Sequence, residues 1–169
     1  MQILLLNRSY NRRMRFDSSS GIDATDWTLL HLLQEDARLS FAELGRKLRL
    51  SAPAVAERMK RLEERGAIRG YRAEINLSAL GRPLHVYLRA TVQPKDYPRF
   101  RKKIESLDEI FECHHVTGAE SFILRAAVSN VNALESLIQQ LTVYGPTTTS
   151  VILSTTLDRR HFVPVQPKN

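Results

Sequence analysis

Two modules of different design follow one another in this chain, and together they predict an α+β fold. Three short helices crowd between Asp23 and Gly66, each opened by its own capping residue. The last two are joined by a tight turn, the pattern of a helix-turn-helix. From Leu84 onward the hydrophobic period switches to two, and the elements run strand, helix, strand, strand, helix, strand. That is the ferredoxin-like βαββαβ order. The chain therefore divides into a basic tail over residues 1–21, a winged helix-turn-helix over 22–76 and a linker over 77–83. The ferredoxin-like module follows over 84–157, with a C-terminal tail over 158–169.

The first helix is expected over residues 23–34. Asp23 is its N-cap and Asp26 the acid three residues on, with Ile22 and Trp27 placed as a hydrophobic staple. Leu29, Leu30, Leu32 and Leu33 give it a wide apolar surface. His31, among them, reads as a partly exposed surface histidine rather than a ligand. The second helix repeats the grammar with Ser40 and Glu43, a full S-x-x-E box, stapled by Leu39 and Leu44. Gly45 costs a helix ~1 kcal/mol against alanine, and predicts a close crossing of two helices. The third helix opens at Ser51, carries Pro53 in its first turn and ends at Gly66. Val55, Met59 and Leu62 form its buried stripe. Beyond it, Ile68, Tyr71, Ala73 and Ile75 around Gly70 suggest a small β-wing bearing Arg69 and Arg72.

In the second module Leu84, Val86, Leu88, Ala90 and Val92 line one face of the first strand, and His85, Tyr87 and Arg89 the other. Phe100, Ile104 and Leu107 mark a helix. Strands are expected over 110–117 and 122–128, a helix around Leu134, Leu137, Ile138 and Leu141, and a β-branched last strand over 148–157. Two helices can cover only one sheet face. The other invites a second copy by two-fold symmetry.

Charge narrows the function. The 169 residues carry a net charge of +7, and the pI is about 9.9, which points to double-stranded DNA before any other partner. Residues 1–82 hold 15 Lys+Arg against 10 Asp+Glu, and residues 83–169 hold 10 against 8. The first half is the expected polyanion binder. The single Cys113 excludes an internal disulfide framework and fits a reducing cytoplasm. No apolar run reaches the ~18 residues that span a membrane, and the opening MQILLLN lacks the basic start of a signal peptide. Arg8, Arg12, Arg13 and Arg15 admit two readings of the tail: a basic arm adding phosphate contacts, or an extension upstream of a natural start at Met14.

Three runs carry a specific resemblance: the S-x-x-E-L box at Ser40, the R-x-x-R-L-E-x-x-G-x-I-x-G-Y run from Arg58 to Tyr71, and E-C-H-x-V-T-G from Glu112 to Gly118. Over residues 22–157 the chain resembles the Lrp/AsnC class of regulators, the leucine-responsive or feast/famine proteins. The resemblance implies a DNA-binding transcription regulator, located with the nucleoid in the cytoplasm. Its second module would make a homodimer, or a larger ring such as an octamer, and would bind an amino acid or another small effector. The chain departs from the pattern after Gly118, where Ala119, Glu120 and Ser121 replace the usual acid, aromatic and acid. The run YGPTTTS is also shorter than usual, although Thr147 and Thr149 match its threonines.

With the stripe of the third helix turned inward, the candidate DNA contacts are Ser51, Ala52, Pro53, Ala56, Glu57, Lys60 and Arg61, joined by Ser40, Arg69 and Arg72. Few can make a bidentate base contact, so DNA shape and bending are expected to share the selection. Arg58 reads first as an ion-pair partner of a neighbouring helix. The candidate effector site is the glycine turn of Val116, Thr117, Gly118, Ala119, Glu120, Ser121 and Phe122, with Thr147 and Thr149. Its amides can take a carboxylate, and Glu120, Ser121 or a threonine can take an ammonium. A plain β-hairpin turn explains the same residues. Cys113, His114 and His115 lack a second ligand cluster, so neither metal nor cofactor is expected. No P-loop, dinucleotide fingerprint or nucleophile elbow is present. The rival from another class is an enzyme resembling the siroheme decarboxylases, which share this architecture; it would gather His85, His114, His115 and Arg89 around a tetrapyrrole. A DNA-compacting protein without effector is the third reading.

Overall fold

The computed structural model describes residues 21–158 and 160–162. The tail readings for residues 1–20 and 163–169 lie outside the described residues. The described residues form two compact units, one of residues 21–73 with 157–158 and 160–162, the other of Glu74–Thr156.

The first unit holds α1 (Ala24–Glu35), α2 (Phe41–Leu48) and α3 (Ala52–Glu64). Their starts are those the caps dictate. Asp26 N–H donates to Asp23 Oδ1 at 2.8 Å, and Asp23 N–H to Asp26 Oδ2 at 3.2 Å. Ser40 N–H donates to Glu43 Oε2 at 2.8 Å, and Glu43 N–H to Ser40 Oγ at 3.3 Å. Ser51 Oγ accepts from Ala54 N–H at 3.3 Å. Leu29, Leu32, Leu44, Val55, Met59 and Leu62 form one buried core, with Leu39, Leu50 and Ile68 packed against it.

The tight turn between α2 and α3 rests on Arg49 and Gly45. Arg49 takes the left-handed conformation, φ 58°, where glycine is usual. Leu50 N–H donates to the Gly45 carbonyl at 2.9 Å. A methyl on Gly45 would stand 2.5 Å from the Leu50 carbonyl oxygen. The glycine serves the approach of the next loop's backbone, not merely of a helix. Gly66, φ 69°, ends α3 as expected.

The β-wing is a correction. Residues 67–76 contain no strand. An extended ribbon needs a second strand for its N–H and C=O groups, and none pairs with it among the described residues. Tyr71 instead donates its hydroxyl to Glu63 Oε1 on α3 at 2.9 Å. Burial and that bond push its phenol up to about 12. The C-terminal segment also has a place: Phe162 and Gln34 of α1 exchange two hydrogen bonds.

The second unit holds β1 (Leu84–Ala90), α4 (Tyr97–Glu105), β2 (Ile110–His115), β3 (Phe122–Val128), α5 (Val131–Thr142) and β4 (Thr147–Val151). The sheet order is β2-β3-β1-β4 and every pairing is antiparallel, as the ferredoxin-like order requires. Val86, Leu88, Ala90, Phe122, Leu124 and Ala126 are buried with Phe100, Ile104, Leu134, Leu137 and Leu141, so both helices cover one face. Each fully buried Leu or Phe contributes on the order of 2 kcal/mol. β4 stops at Val151, short of the expected end at Leu157. The last ladder pair is Val86 with Val151, one more bond runs from Ile152 N–H to the His85 carbonyl at 2.9 Å, and β1, which begins at Leu84 behind Pro83, leaves residues 154–157 nothing on it to pair with. β2 carries a register shift between Ile110 and Glu112, a bulge that sets Phe111 out of the ladder.

Candidate nucleic-acid interface and effector turn

The buried stripe of α3 decides what faces solvent. Ser51, Pro53, Glu57, Lys60 and Arg61 are exposed; Ala52 and Ala56 are half-buried. Ser40 is exposed, but its hydroxyl donates to Glu43 Oε2 at 2.6 Å and holds that carboxyl below the usual carboxylate range. Lys60 Nζ lies 3.7 Å from Glu64 Oε1, a surface pair worth roughly 0.3–0.5 kcal/mol, so it is readily released to a phosphate. Arg69 and Arg72 are exposed on the segment after α3. The sequence reading passed over Arg46, Lys47 and Arg49. These exposed cations lie on α2 and in its turn, where a helix-turn-helix crosses the DNA backbone. The run Arg46-Lys47-Leu48-Arg49 was the available signal.

Arg58 makes the expected ion pair with a neighbouring helix. Its Nη1 donates to Asp23 Oδ2 and Asp26 Oδ1, both at 2.6 Å, tying α3 to the start of α1. The bond to Asp23 raises the pKa of the guanidinium further above its usual value. Burial pushes Asp23 up, but Arg58 and the capped amides outweigh it and leave the carboxyl lowered.

The glycine turn sits at one end of the sheet. Val116 N–H donates to the Ser121 carbonyl at 3.0 Å, and Ser121 N–H to the Ala90 carbonyl at 2.9 Å. Ser121 Oγ donates to the Val92 carbonyl and accepts from Val92 N–H, both at 3.1 Å. Phe122 is buried against Phe100, Tyr97 and His115. Ser121 and Phe122 thus hold the turn in place. Thr117, Gly118 and Ala119 are exposed; Val116 and Glu120 are half-buried. Gly118 has φ 125° with no atom near a would-be methyl. Thr147 and Thr149 lie on the other side of β1, opposite Ala90 and Leu88. Two strand spacings separate Phe122 from Thr147, about 10 Å. The chain brings the turn and the threonines to one sheet end but not into contact.

Residues 22–63 match the AsnC-type helix-turn-helix domain, and residues 85–162 the Lrp/AsnC ligand binding domain. The chain is 38% identical to the HTH-type transcriptional regulator LrpC of Bacillus subtilis, over 79% of this chain and 92% of LrpC. The chain belongs to the Lrp/AsnC family. It is also 34% identical to LrpA of Mycobacterium tuberculosis, over 86% of this chain and 99% of that regulator. Among solved structures, B. subtilis LrpC superposes with a TM-score of 0.75 at 38% identity, covering 79% of this chain and 95% of that one. A feast or famine regulatory protein from M. tuberculosis complexed with L-methionine does so with a TM-score of 0.75 at 34% identity, covering 85% and 99%. This Lrp/AsnC protein is a DNA-binding transcription regulator, not an enzyme, and its second unit is the family's ligand-binding domain. No helix among the described residues is long and apolar enough to cross a membrane.

The tetrapyrrole constellation does not assemble in this Lrp/AsnC chain. His115 faces the helices, 4.9 Å from Tyr97 and from Phe122. His114 is hydrogen-bonded to Glu112 at 2.6 Å. Arg89 Nη1 donates to Ser150 Oγ at 3.4 Å, and His85 meets the Arg82 carbonyl at 3.1 Å. No three-ligand cluster forms around Cys113, His114 and His115 among the described residues. The open sheet face instead centres on Arg125. Its guanidinium carbon lies 5.7 Å from the Tyr87 ring centroid and 5.1 Å from that of Phe111. Arg125 Nη1 donates to Glu112 Oε2 at 3.0 Å. His114, then Arg125, hold the Glu112 carboxyl below its usual range.

Proposed function

We propose that this regulator reads DNA with the outer side of α3 and responds to an amino acid held at the glycine turn where copies of the chain meet. The exposure of Ser51, Pro53, Glu57, Lys60 and Arg61 opposite a fully buried stripe carries the reading. Ser51, Ala52, Pro53 and Ala56 are small enough for the helix to approach the groove floor closely. Lys60, Arg61, Arg69 and Arg72 supply phosphate contacts, with Arg46, Lys47 and Arg49 added. Ser40 contributes as a cap that orients α2. Short side chains give modest direct readout, so sequence choice leans on DNA deformability. The protein works at the nucleoid.

Copies pair over the open sheet face around Tyr87, Phe111 and Arg125, as a dimer that can close into larger rings. Thr117, Gly118 and Ala119 present the effector's carboxylate with backbone amides. Glu120 takes its ammonium, replacing the acid missing after Gly118, while Val116, Thr147 and Thr149 border the site. The relative complexed with L-methionine supports an amino acid of that kind. A ligand there changes DNA binding only by favouring one assembly over another.

Replacing Lys60 and Arg61 together by alanine is expected to weaken binding and lower the slope of log K against log salt by about 0.9 per lost phosphate contact. An unchanged slope would move the interface elsewhere. Titration calorimetry against the standard amino acids, repeated with Gly118→Val and Glu120→Ala, tests the effector site. Tight binding that ignores both substitutions would place the site away from the turn. No heat with any amino acid would leave a regulator without this effector class.

A further inference from the structure

Three ligand-type side chains from distant parts of the sequence meet on α1. His31 and Glu35 stand one helical turn apart, with Nε2 3.3 Å from Oε1. His161 comes from the C-terminal segment, its ring 5.6 Å from that of His31 and edge-on at 73°. Ligand atoms of the three residues all lie within 4.8 Å of one another. A separate contact fixes His161 there. Phe162 N–H donates to Gln34 Oε1 at 2.7 Å, and Gln34 Nε2 donates to the Phe162 carbonyl at 3.2 Å. This paired bond uses the next residue's backbone and does not involve the imidazole.

We propose that His31, Glu35 and His161 form a divalent transition-metal site, best matched to zinc, that fastens the C-terminal segment to the helix-turn-helix unit. The geometry is close to what the ion needs. Tetrahedral zinc with bonds near 2.0–2.1 Å sets its ligand atoms about 3.3 Å apart. His31 and Glu35 already stand at that spacing. Bringing the third ligand in requires closure of at most about 1.5 Å, which rotation of the exposed His161 and Glu35 side chains supplies. Two imidazoles and one carboxylate suit zinc, whereas calcium and magnesium favour oxygen donors throughout. Three protein ligands leave a fourth position for water or another donor. In the sequence His31 reads as a surface residue, because the third ligand, His161, lies 130 residues away and shares no spacing with it.

The test uses the full chain after chelator treatment. Zinc titrated by calorimetry is expected to bind once per chain, and cobalt to give the visible bands of a tetrahedral ion. His31→Ala and His161→Ala should each lower affinity at least about tenfold, since even residues that only orient a metal's ligands cost 10–100-fold. His161 lies outside the cores, so circular dichroism of its variant should match the wild type. Zinc should also slow proteolysis after Leu157, and His161→Ala should abolish that protection. A cobalt–thiolate charge-transfer band would place the metal on Cys113 and overturn the assignment. So would wild-type zinc affinity in both histidine variants, or no binding at all.

Discussion

Gly145→Ala is expected to lower the melting temperature of the second unit by more than about 10 °C, the equivalent of some 3 kcal/mol in a domain of this size. Gly145 has φ 147°, a region closed to side chains at a cost of roughly 1–3 kcal/mol. Its would-be methyl would also collide with the Thr91 carbonyl oxygen. That carbonyl is backbone, and Thr91 N–H donates to the Pro146 carbonyl at 2.9 Å. The end of β1 and the entry to β4 are therefore braced together, and neither can step aside. Gly118→Ala is the control: its φ of 125° is equally unusual, but the space beside it is open. It should lose only the backbone term. Calorimetric melting of both variants checks the ranking, and an alanine at 145 no worse than one at 118 would refute the bracing.

Arg58→Ala should destabilise the first unit by about 2–3 kcal/mol. Asp26 is only 5% exposed, and removing the guanidinium leaves its carboxylate with the Asp23 amide alone. Arg58→Ala combined with Asp26→Asn should recover part of the loss, because the neutral amide is less costly to bury. Acid should shrink the gap between wild type and Arg58→Ala. The Asp23 carboxyl is lowered in the folded chain, so its contribution is present above its unfolded value of about 3.9. That contribution fades as pH falls through the folded value. Urea unfolding followed by Trp27 fluorescence, at neutral pH and stepwise into acid, reads this directly. A gap that widens in acid would mean that Arg58 acts through something other than these carboxylates.

The sequence disclosed most where the physics is local. A hydroxyl or carboxyl three residues ahead of an acid specifies a cap whatever surrounds it, as at Asp23 and Ser40, and Ser51 ahead of Pro53 caps as read without one. Alternation specifies a sheet face, so Val86, Leu88 and Ala90 are buried where expected. What depended on a distant partner was less legible. Extended chain around Gly70 looks the same whether or not a second strand lies beside it. That β4 cannot run on to Leu157 follows from where β1 begins, not from its own β-branched run. Gly45 was read as a close crossing, but the atom it makes room for, the Leu50 carbonyl, could be named only from coordinates. At the turn, residue types could not tell Ser121, spent on β1, from Gly118, which is open to solvent.

Arg125 carries its counter-charge with it, boxed between Tyr87, Phe111 and Glu112. Salt screens exposed and unpaired charges most, so an assembly joined over this face would respond little to ionic strength. The phosphate contacts proposed for Lys60 and Arg61 would respond steeply. In the proposed assembly, a rise in a cell's internal osmolarity would thus loosen the protein from DNA while leaving the contact between copies in place.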